Sequence, residues 1–197
     1  MKILIDNGHG VDTKGKRSPD GRLLEYKYTR EIASRIEAEL KAKGYDAERI
    51  VPEEHDIPLE ERVRRVKEQC GRLGSSNVVM ISVHCNAAGN GGWMKASGWS
   101  AYTSKGETKS DKLASLLYEE AEVNFTGHKI RKDYSDGDPD WEENFYVLRK
   151  TPCVAVLTEN FFQDNKDDVA YLLSDDGRNA IVKTHVNGII KYVKVYG

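Results

Sequence analysis

Short apolar runs alternate along the chain with longer segments whose apolar residues recur every three to four positions. The apolar runs predict strands over residues 2–6, 46–51, 77–83, 98–103 and 154–158. The periodic segments predict helices over residues 25–43, 58–73, 111–125 and 177–194. Strands that alternate with helices form a largely parallel sheet covered by helices on both faces. We therefore expect an α/β fold with a mostly parallel sheet.

The size and charge of the chain narrow the classes of function. A length of 197 residues suits one domain with one sizeable core. A formal net charge of −2 argues against a dedicated nucleic-acid binder, which usually carries a basic face. No stretch approaches the roughly 18–20 apolar residues of a membrane span. No secretory signal precedes the first strand, so either the chain is already trimmed or it leaves the cytosol by another route.

Three ionisable residues follow predicted strands directly. His9 comes just after the first strand, His84 after the strand over residues 77–83, and Glu159 after the strand over residues 154–158. In a parallel sheet these strand ends face the same rim, where ligands gather. We therefore expect the three side chains to converge on one site.

A fourth residue, Glu25, opens the first predicted helix. It falls on the same helix face as the apolar residues Tyr28 and Ile32, because positions three and four apart are neighbours on a helix. A carboxylate on an inward face needs a partner, since burying an unpaired charge is costly. Glu31 falls off that face and is expected to be solvated. Glu25 is therefore the better candidate for a ligand.

Two imidazoles and one carboxylate are the protein ligands of many catalytic zinc sites, which leave a fourth position for water or substrate. A second carboxylate can then accept and return a proton, and Glu159 suits that role. Its apolar neighbours Leu157, Phe161 and Phe162 are expected to raise its proton affinity. Taken singly, each candidate also fits a structural role: a hydrogen-bonded histidine, a carboxylate at a helix start, or a helix cap.

The same residues lie in segments that resemble the zinc-dependent N-acetylmuramoyl-L-alanine amidases of the amidase-3 type. Residues 6–10 resemble the D-x-G-H-G opening of that family, and residues 82–87 resemble its S-[IV]-H-x-N-A segment. Residues 158–165 resemble its E-x-G-F-x-x-N segment, and residues 59–62 resemble its L-x-x-R helix start. The segments occur in the family's order and cover nearly the whole chain.

The resemblance implies a single catalytic amidase domain over residues 1–197, with a twisted sheet of about six strands flanked by helices. It implies one zinc ion per chain, held by His9, Glu25 and His84, with Glu159 as the catalytic glutamate. The reaction would cleave the amide between the lactyl group of N-acetylmuramic acid and L-alanine. The partners would be peptidoglycan or muropeptides, with no nucleic acid and no membrane span, and the chain is expected to be a monomer.

Three positions fall outside this pattern. Phe161 stands where the family often has glycine, and its bulk is expected to reshape the groove without removing a chemical group. His55 and His185 match none of the metal positions, and both are expected at the surface.

Two long loops, residues 11–24 and 129–141, are expected to serve function, because long loops in compact domains often do. The second carries an acidic run and is expected to line the stem-peptide side of the groove. His128 at its start and Trp141 at its end are candidate substrate contacts. Asn86 is a third, able to hydrogen-bond either a metal ligand or the substrate.

Two other functions stay open from the sequence. A zinc carboxypeptidase acting on stem peptides would need an arginine for the terminal carboxylate, and Arg62, Arg131 and Arg149 are available. A non-catalytic cell-wall binding module is the other, although the intact Glu159 argues against it. The place of action is expected to be the cell wall, in the periplasm or outside the cell, and release of a phage type fits the missing signal.

Overall fold

The computed structural model describes residues 1–197. The strands are β1 (Lys2–Asn7), β2 (Ala47–Arg49), β3 (Val78–Asn86), β4 (Ser100–Thr103), β5 (Trp141–Glu142) and β6 (Val154–Phe162). The helices are α1 (Glu25–Ala42), α2 (Leu59–Leu73), α3 (Lys109–Asn124), α4 (Tyr146–Lys150), α5 (Lys166–Leu173) and α6 (Asp175–Tyr196).

The six strands form one sheet in the order β2-β1-β3-β6-β4-β5. All neighbouring strands run parallel except β4 and β6, which pair antiparallel. The expected six-stranded, mostly parallel sheet flanked by helices is confirmed. The carboxyl ends of the central strands β1, β3 and β6 therefore lie at the same edge of the sheet.

Alternating side chains of the central strands supply two hydrophobic clusters, one on each face of the sheet. Ile3, Ile5 and Ile81 belong to a cluster of 30 buried residues that includes the inner faces of α1, α3 and α6. Leu4 and Met80 belong to a cluster of 14 that includes residues of α2 and α4. Burial on both faces explains why these strands read as continuous apolar runs. None of the helices combines the length with the apolar character that crossing a bilayer requires.

Every predicted strand and helix occurs, but several boundaries differ. β3 and β6 each run farther than predicted, so His84 and Glu159 lie inside strands rather than after them. α3 begins earlier than predicted because Thr108 caps it through a reciprocal capping box with Asp111. The elements β5, α4 and α5 were not predicted, since none is longer than eight residues and so none shows a clear period.

The predicted surface position of His185 is wrong, whereas His55 is exposed as expected. His185 is fully buried on the inner face of α6, where its Nε2 lies 2.9 Å from Thr158 Oγ1. Its Nδ1 lies 2.7 Å from the carbonyl oxygen of Ile181. Burial lowers the pKa of His185 to about 4, so the ring is neutral and links α6 to β6.

Candidate metal centre and its groove

Three of the predicted residues meet at the carboxyl ends of the central strands. His9 lies two residues beyond β1, His84 lies near the end of β3, and Glu25 is the first residue of α1. Glu25 Oε1 is 3.4 Å from His9 Nε2 and 3.3 Å from His84 Nδ1. The two imidazole rings stand at 89° to each other, with centroids 5.1 Å apart.

The spacing of these atoms fits a metal ion. Zinc ligands of this type lie about 2.1 Å from the metal, so two ligand atoms of a tetrahedral site are about 3.4 Å apart. The distances from Glu25 Oε1 to both ring nitrogens agree with that value. The donor set of two imidazoles and one carboxylate also matches zinc chemistry. The residues present therefore fit the metal that the resemblance implies.

The turn that carries His9 is fixed by close contacts. A Cβ on Gly8 would lie 2.4 Å from the His84 ring, and a Cβ on Gly10 would lie 2.0 Å from the backbone nitrogen of Asp56. Both positions therefore need glycine. His9 itself has φ 60°, a left-handed conformation that is uncommon for residues other than glycine and that often occurs at functional sites.

A buried ion pair supports the same turn from below. Arg62 Nη1 donates to Asp6 Oδ1 at 2.6 Å and to the carbonyl oxygen of Asn7 at 2.7 Å. Ser82 donates to the other oxygen of Asp6 at 2.6 Å. The arginine and the aspartate are both almost fully buried, so removing either would leave an uncompensated charge. This network gives a structural role to Asp6 of the opening motif and to Arg62 at the start of α2.

Glu25 is held by hydrogen bonds from two other elements. Its Oε1 accepts from the backbone N–H of Cys85 at 3.1 Å, and its Oε2 accepts from Gln163 Nε2 at 3.0 Å. Burial opposes ionisation of this carboxyl, but His84 and His9 outweigh it and hold the pKa of Glu25 well below its usual range. Glu25 is thus a buried, ionised and oriented carboxylate, and its predicted position on the inner face of α1 is confirmed.

Glu159 lies beside the three-residue cluster. The pairing of β3 with β6 sets it directly across from His84. Its Oε2 is buried and has no hydrogen-bond partner. Burial, opposed by the charge of His84, raises the pKa of Glu159 to about 7. A carboxyl group of this kind can exchange a proton near neutral pH.

A cavity of about 390 Å³ opens onto these groups. Its polar lining includes His9, His84 and Glu159, joined by Lys16 from the loop over residues 11–24. Its apolar walls come from the segment before α2, from the start of that helix and from the region of α4: Ile57, Pro58, Leu59, Phe145, Tyr146 and Val147. The short helix α4, which the sequence did not predict, therefore forms one side of the groove.

Of the three apolar neighbours predicted around Glu159, only Leu157 lines the cavity. Phe161 is fully buried on the other face of the sheet and packs edge-on against Phe125 and Tyr171. It has φ 61°, which explains why glycine suits this position. The expectation that Phe161 reshapes the groove is therefore wrong, because its bulk goes to the core.

The remaining predicted substrate contacts lie outside the lining of this cavity. Asn86 Oδ1 accepts from the backbone N–H of Ala87 at 2.8 Å. His128 is exposed and stacks on Tyr171, with ring centroids 3.7 Å apart. Trp141 lies on the edge strand β5 under the guanidinium of Arg131. A substrate long enough to extend beyond the cavity would be needed to reach them, and their roles stay predictions.

The fold and the cluster together define an α/β protein with a candidate metal centre at the carboxyl ends of its parallel strands. The profile of the family Amidase_3, described as N-acetylmuramoyl-L-alanine amidase, matches residues 3–191. The chain therefore belongs to the Amidase_3 family of N-acetylmuramoyl-L-alanine amidases.

Two solved amidase structures and a phage endolysin are similar to this chain. The catalytic domain of CwlV, an N-acetylmuramoyl-L-alanine amidase from Bacillus (Paenibacillus) polymyxa var. colistinus, has a TM-score of 0.81 at 24% identity, covering 99% of each chain. The amidase AmiC2 of Nostoc punctiforme has a TM-score of 0.81 at 25% identity, covering 98% of this chain and 97% of that one. An endolysin of Bacillus phage SPP1 is 25% identical over 194 residues, which are 98% of this chain and 66% of the endolysin. The chain thus spans just under two thirds of that relative.

Proposed function

We propose that the chain hydrolyses the amide bond between the lactyl group of N-acetylmuramic acid and L-alanine in peptidoglycan. The observation that carries the proposal is one cavity lined by His9, His84 and Glu159, with Glu25 buried behind the two histidines. Membership of the amidase family supports the choice of bond. The four side chains supply the groups that amide hydrolysis requires.

In this proposal His9, Glu25 and His84 hold one zinc ion per chain. A zinc ion held there supplies Lewis acidity toward the amide carbonyl and toward water. The two histidine side chains are 19% and 18% exposed, on the side that faces the cavity. If these three side chains held a zinc ion, the cavity beside His9 and His84 would give a substrate access to it.

Glu159 acts as the general acid and base. Its free Oε2 accepts a proton from the attacking water and returns it to the nitrogen of the departing L-alanine. In the metal-free protein, burial raises the pKa of Glu159 to about 7, and a zinc ion held beside it would favour the ionised form that accepts the proton. Burial dominates and raises the pKa of Glu159, while the charges of His84, Lys16 and Arg131 oppose this rise.

A zinc carboxypeptidase acting on stem peptides is the second candidate function. Arg62 does not suit the role of carboxylate anchor, because Asp6, Asp56 and two backbone carbonyls already occupy its guanidinium. Arg131 stays available, half-buried between the rings of Trp141 and Phe162. The guanidinium of Arg131 contacts two rings and forms no ion pair within the chain, and this is the specific observation that keeps the candidate.

The proposal extends to the setting of the reaction. Peptidoglycan or its muropeptide fragments are the partners, and the cell wall is the place of action. Residues 1–197 form the catalytic domain and act as a monomer. The likeness to a phage endolysin supports release of a phage type. A binding module without catalysis is disfavoured by the free carboxylate oxygen of Glu159.

Digestion of peptidoglycan tests the proposal. We expect peptides with a new free α-amino group on L-alanine and intact glycan strands, with no new reducing sugar ends. Mass analysis of products from defined muropeptides identifies the bond. New amines that come only from D-amino acids of the stem would establish the carboxypeptidase instead. Products should cease on chelation and return on addition of zinc.

A further inference from the structure

A second group of acidic side chains lies apart from the candidate active site, where the loop before β5 meets the start of α3. Asp111, Asp138 and Asp140 each bring one carboxylate oxygen to within 4.8 Å of the others. Asp111 and Asp140 are buried, and Asp138 is half-buried. None of the three lines the cavity at His9 and Glu159. We call these residues the aspartate cluster.

One oxygen of the aspartate cluster has no partner. Asp140 is 2% exposed, and its Oδ2 accepts a hydrogen bond from Thr103 Oγ1 at 2.6 Å. Its Oδ1 is buried and accepts no hydrogen bond. The carboxyl groups of Asp140 and Asp138 are in contact, and two such oxygens need a proton or a cation between them. Burial, this contact and the charge of Asp138 raise the pKa of Asp140 to about 8, so without a cation Asp140 holds a proton at neutral pH.

No lysine or arginine forms an ion pair with the aspartate cluster, and most groups around the cluster are oxygen donors. The adjacent cavity, of about 500 Å³, is lined by eight residues, none of them hydrophobic. Exposed Lys109 and Lys112 belong to that lining, yet neither forms an ion pair with the cluster. No histidine or cysteine belongs to the cluster or to the lining. The site therefore offers hard oxygen donors of negative charge, unlike the His9, Glu25 and His84 cluster.

We propose that the aspartate cluster binds a calcium ion. Calcium takes six to eight oxygen ligands from carboxylates, backbone carbonyls and water, and it tolerates irregular geometry. Magnesium demands a near-ideal octahedron, which a mixed loop-and-helix site supplies less readily. Zinc prefers nitrogen and sulfur ligands, which this site lacks. A calcium ion here would offset two of the three negative charges and would take the place of the proton that Asp140 otherwise holds.

Calcium at this site would hold three elements together. Asp111 belongs to the first turn of α3, Thr103 ends β4, and Asp138 and Asp140 end the acidic loop. Trp141 follows Asp140 directly and begins the edge strand β5, which pairs with β4. The cation would thus fix the acidic loop and the edge strand to the body of the sheet.

Titration of calcium into the zinc-loaded protein tests this inference. We expect one calcium per chain by calorimetry, retention of zinc by elemental analysis, and a Tm higher by about 5 °C in millimolar calcium. Terbium should bind the same site and luminesce on excitation of the tryptophans, of which Trp141 is next to Asp140 in the chain, and calcium should displace terbium. No change in Tm up to roughly 10 mM calcium, above the range of the weakest natural sites, would overturn the proposal.

Two variants and a control locate the binding. Asp138→Asn and Asp140→Asn should each abolish the calcium-dependent rise in Tm. Without calcium, Asp140→Asn should be about as stable as the wild type at neutral pH, because the amide still accepts from Thr103 and, like the protonated acid, can donate to Asp138. Asp175→Asn makes the same charge change at a side chain that is 93% exposed in α6, and it should respond to calcium like the wild type. A full response in either cluster variant would contradict the assignment.

Discussion

Single residues behind the proposed ligands determine how well the site is oriented. Gln163 donates to Glu25 Oε2, and Asn160 donates to the carbonyl oxygen of His84 at 2.9 Å. The sequence placed both residues within the segment over residues 158–165 without giving them a role. Glu25 and the two histidines followed from strand ends and a helix face, whereas a hydrogen bond from Gln163, 138 residues away, depends on the tertiary fold.

Replacing Gln163 by leucine should weaken zinc binding without removing a ligand. The change leaves Glu25 Oε2 without its hydrogen bond, and loss of such an outer contact typically lowers metal affinity about 10- to 100-fold. Competition with a calibrated chelator measures the affinity. Gln69→Leu, at a partly exposed position on α2, is the matched control and should bind zinc like the wild type. Equal affinities for both variants would remove Gln163 from this role.

Glu159 should destabilise the metal-free protein at high pH. Its pKa in the folded state, about 7, lies above the ordinary value of 4.5, so the folded state binds the proton more tightly. The free energy of unfolding should therefore fall as pH rises from 4.5 to 7. The free energy of unfolding of Glu159→Gln should not contain this pH-dependent fall. The stability of the variant relative to the wild type should therefore rise by about 1–3 kcal/mol between pH 5 and pH 8. Urea unfolding of both metal-free proteins measures the two free energies of unfolding. A difference between them that does not change with pH would contradict the raised pKa of Glu159.

At the scale of elements, the pairing of β3 with β6 sets Glu159 opposite His84, and the buried ring of His185 links α6 to β6. The sequence predicted which strands end near one another, because apolar content identifies central parallel strands. It did not predict that both strands continue past the polar residues. It also assigned His185 to the surface, since a polar residue on an inner helix face has no distinguishing local pattern.

His185→Gln should reduce the acid sensitivity of the fold. The pKa of His185 is about 4 in the folded protein and 6.5 ordinarily, so the unfolded chain takes up this proton first as pH falls. The wild type should therefore lose about 2–3 kcal/mol more than the variant between pH 7 and pH 4.5. Urea unfolding at the two pH values gives the difference. His55→Gln, at an exposed position, should behave like the wild type, and an unchanged pH response in His185→Gln would contradict the buried neutral ring.

At the scale of the whole molecule, the α/β class, the central strands and the convergence of His9, Glu25, His84 and Glu159 could be predicted from the sequence. The strands and the three residues near their ends follow from long apolar runs and from the rule that parallel strands share a rim, whereas Glu25 follows from its place on an inward helix face. The walls of the groove and the aspartate cluster could not be predicted, because α4 and β5 are short. Their positions follow from packing against distant elements rather than from local pattern.

The measurement that tests the proposed mechanism most directly is turnover of Glu159→Gln on a defined muropeptide, with zinc content determined on the same sample. We predict about one zinc per chain and a turnover lower by about 10²- to 10⁴-fold, the usual scale of general acid–base catalysis. Glu25→Ala should lose zinc, and its control Glu31→Ala, at a half-exposed carboxylate of the same helix, should keep it. Loss of zinc from Glu159→Gln, or turnover equal to that of the wild type, would contradict the role assigned to Glu159.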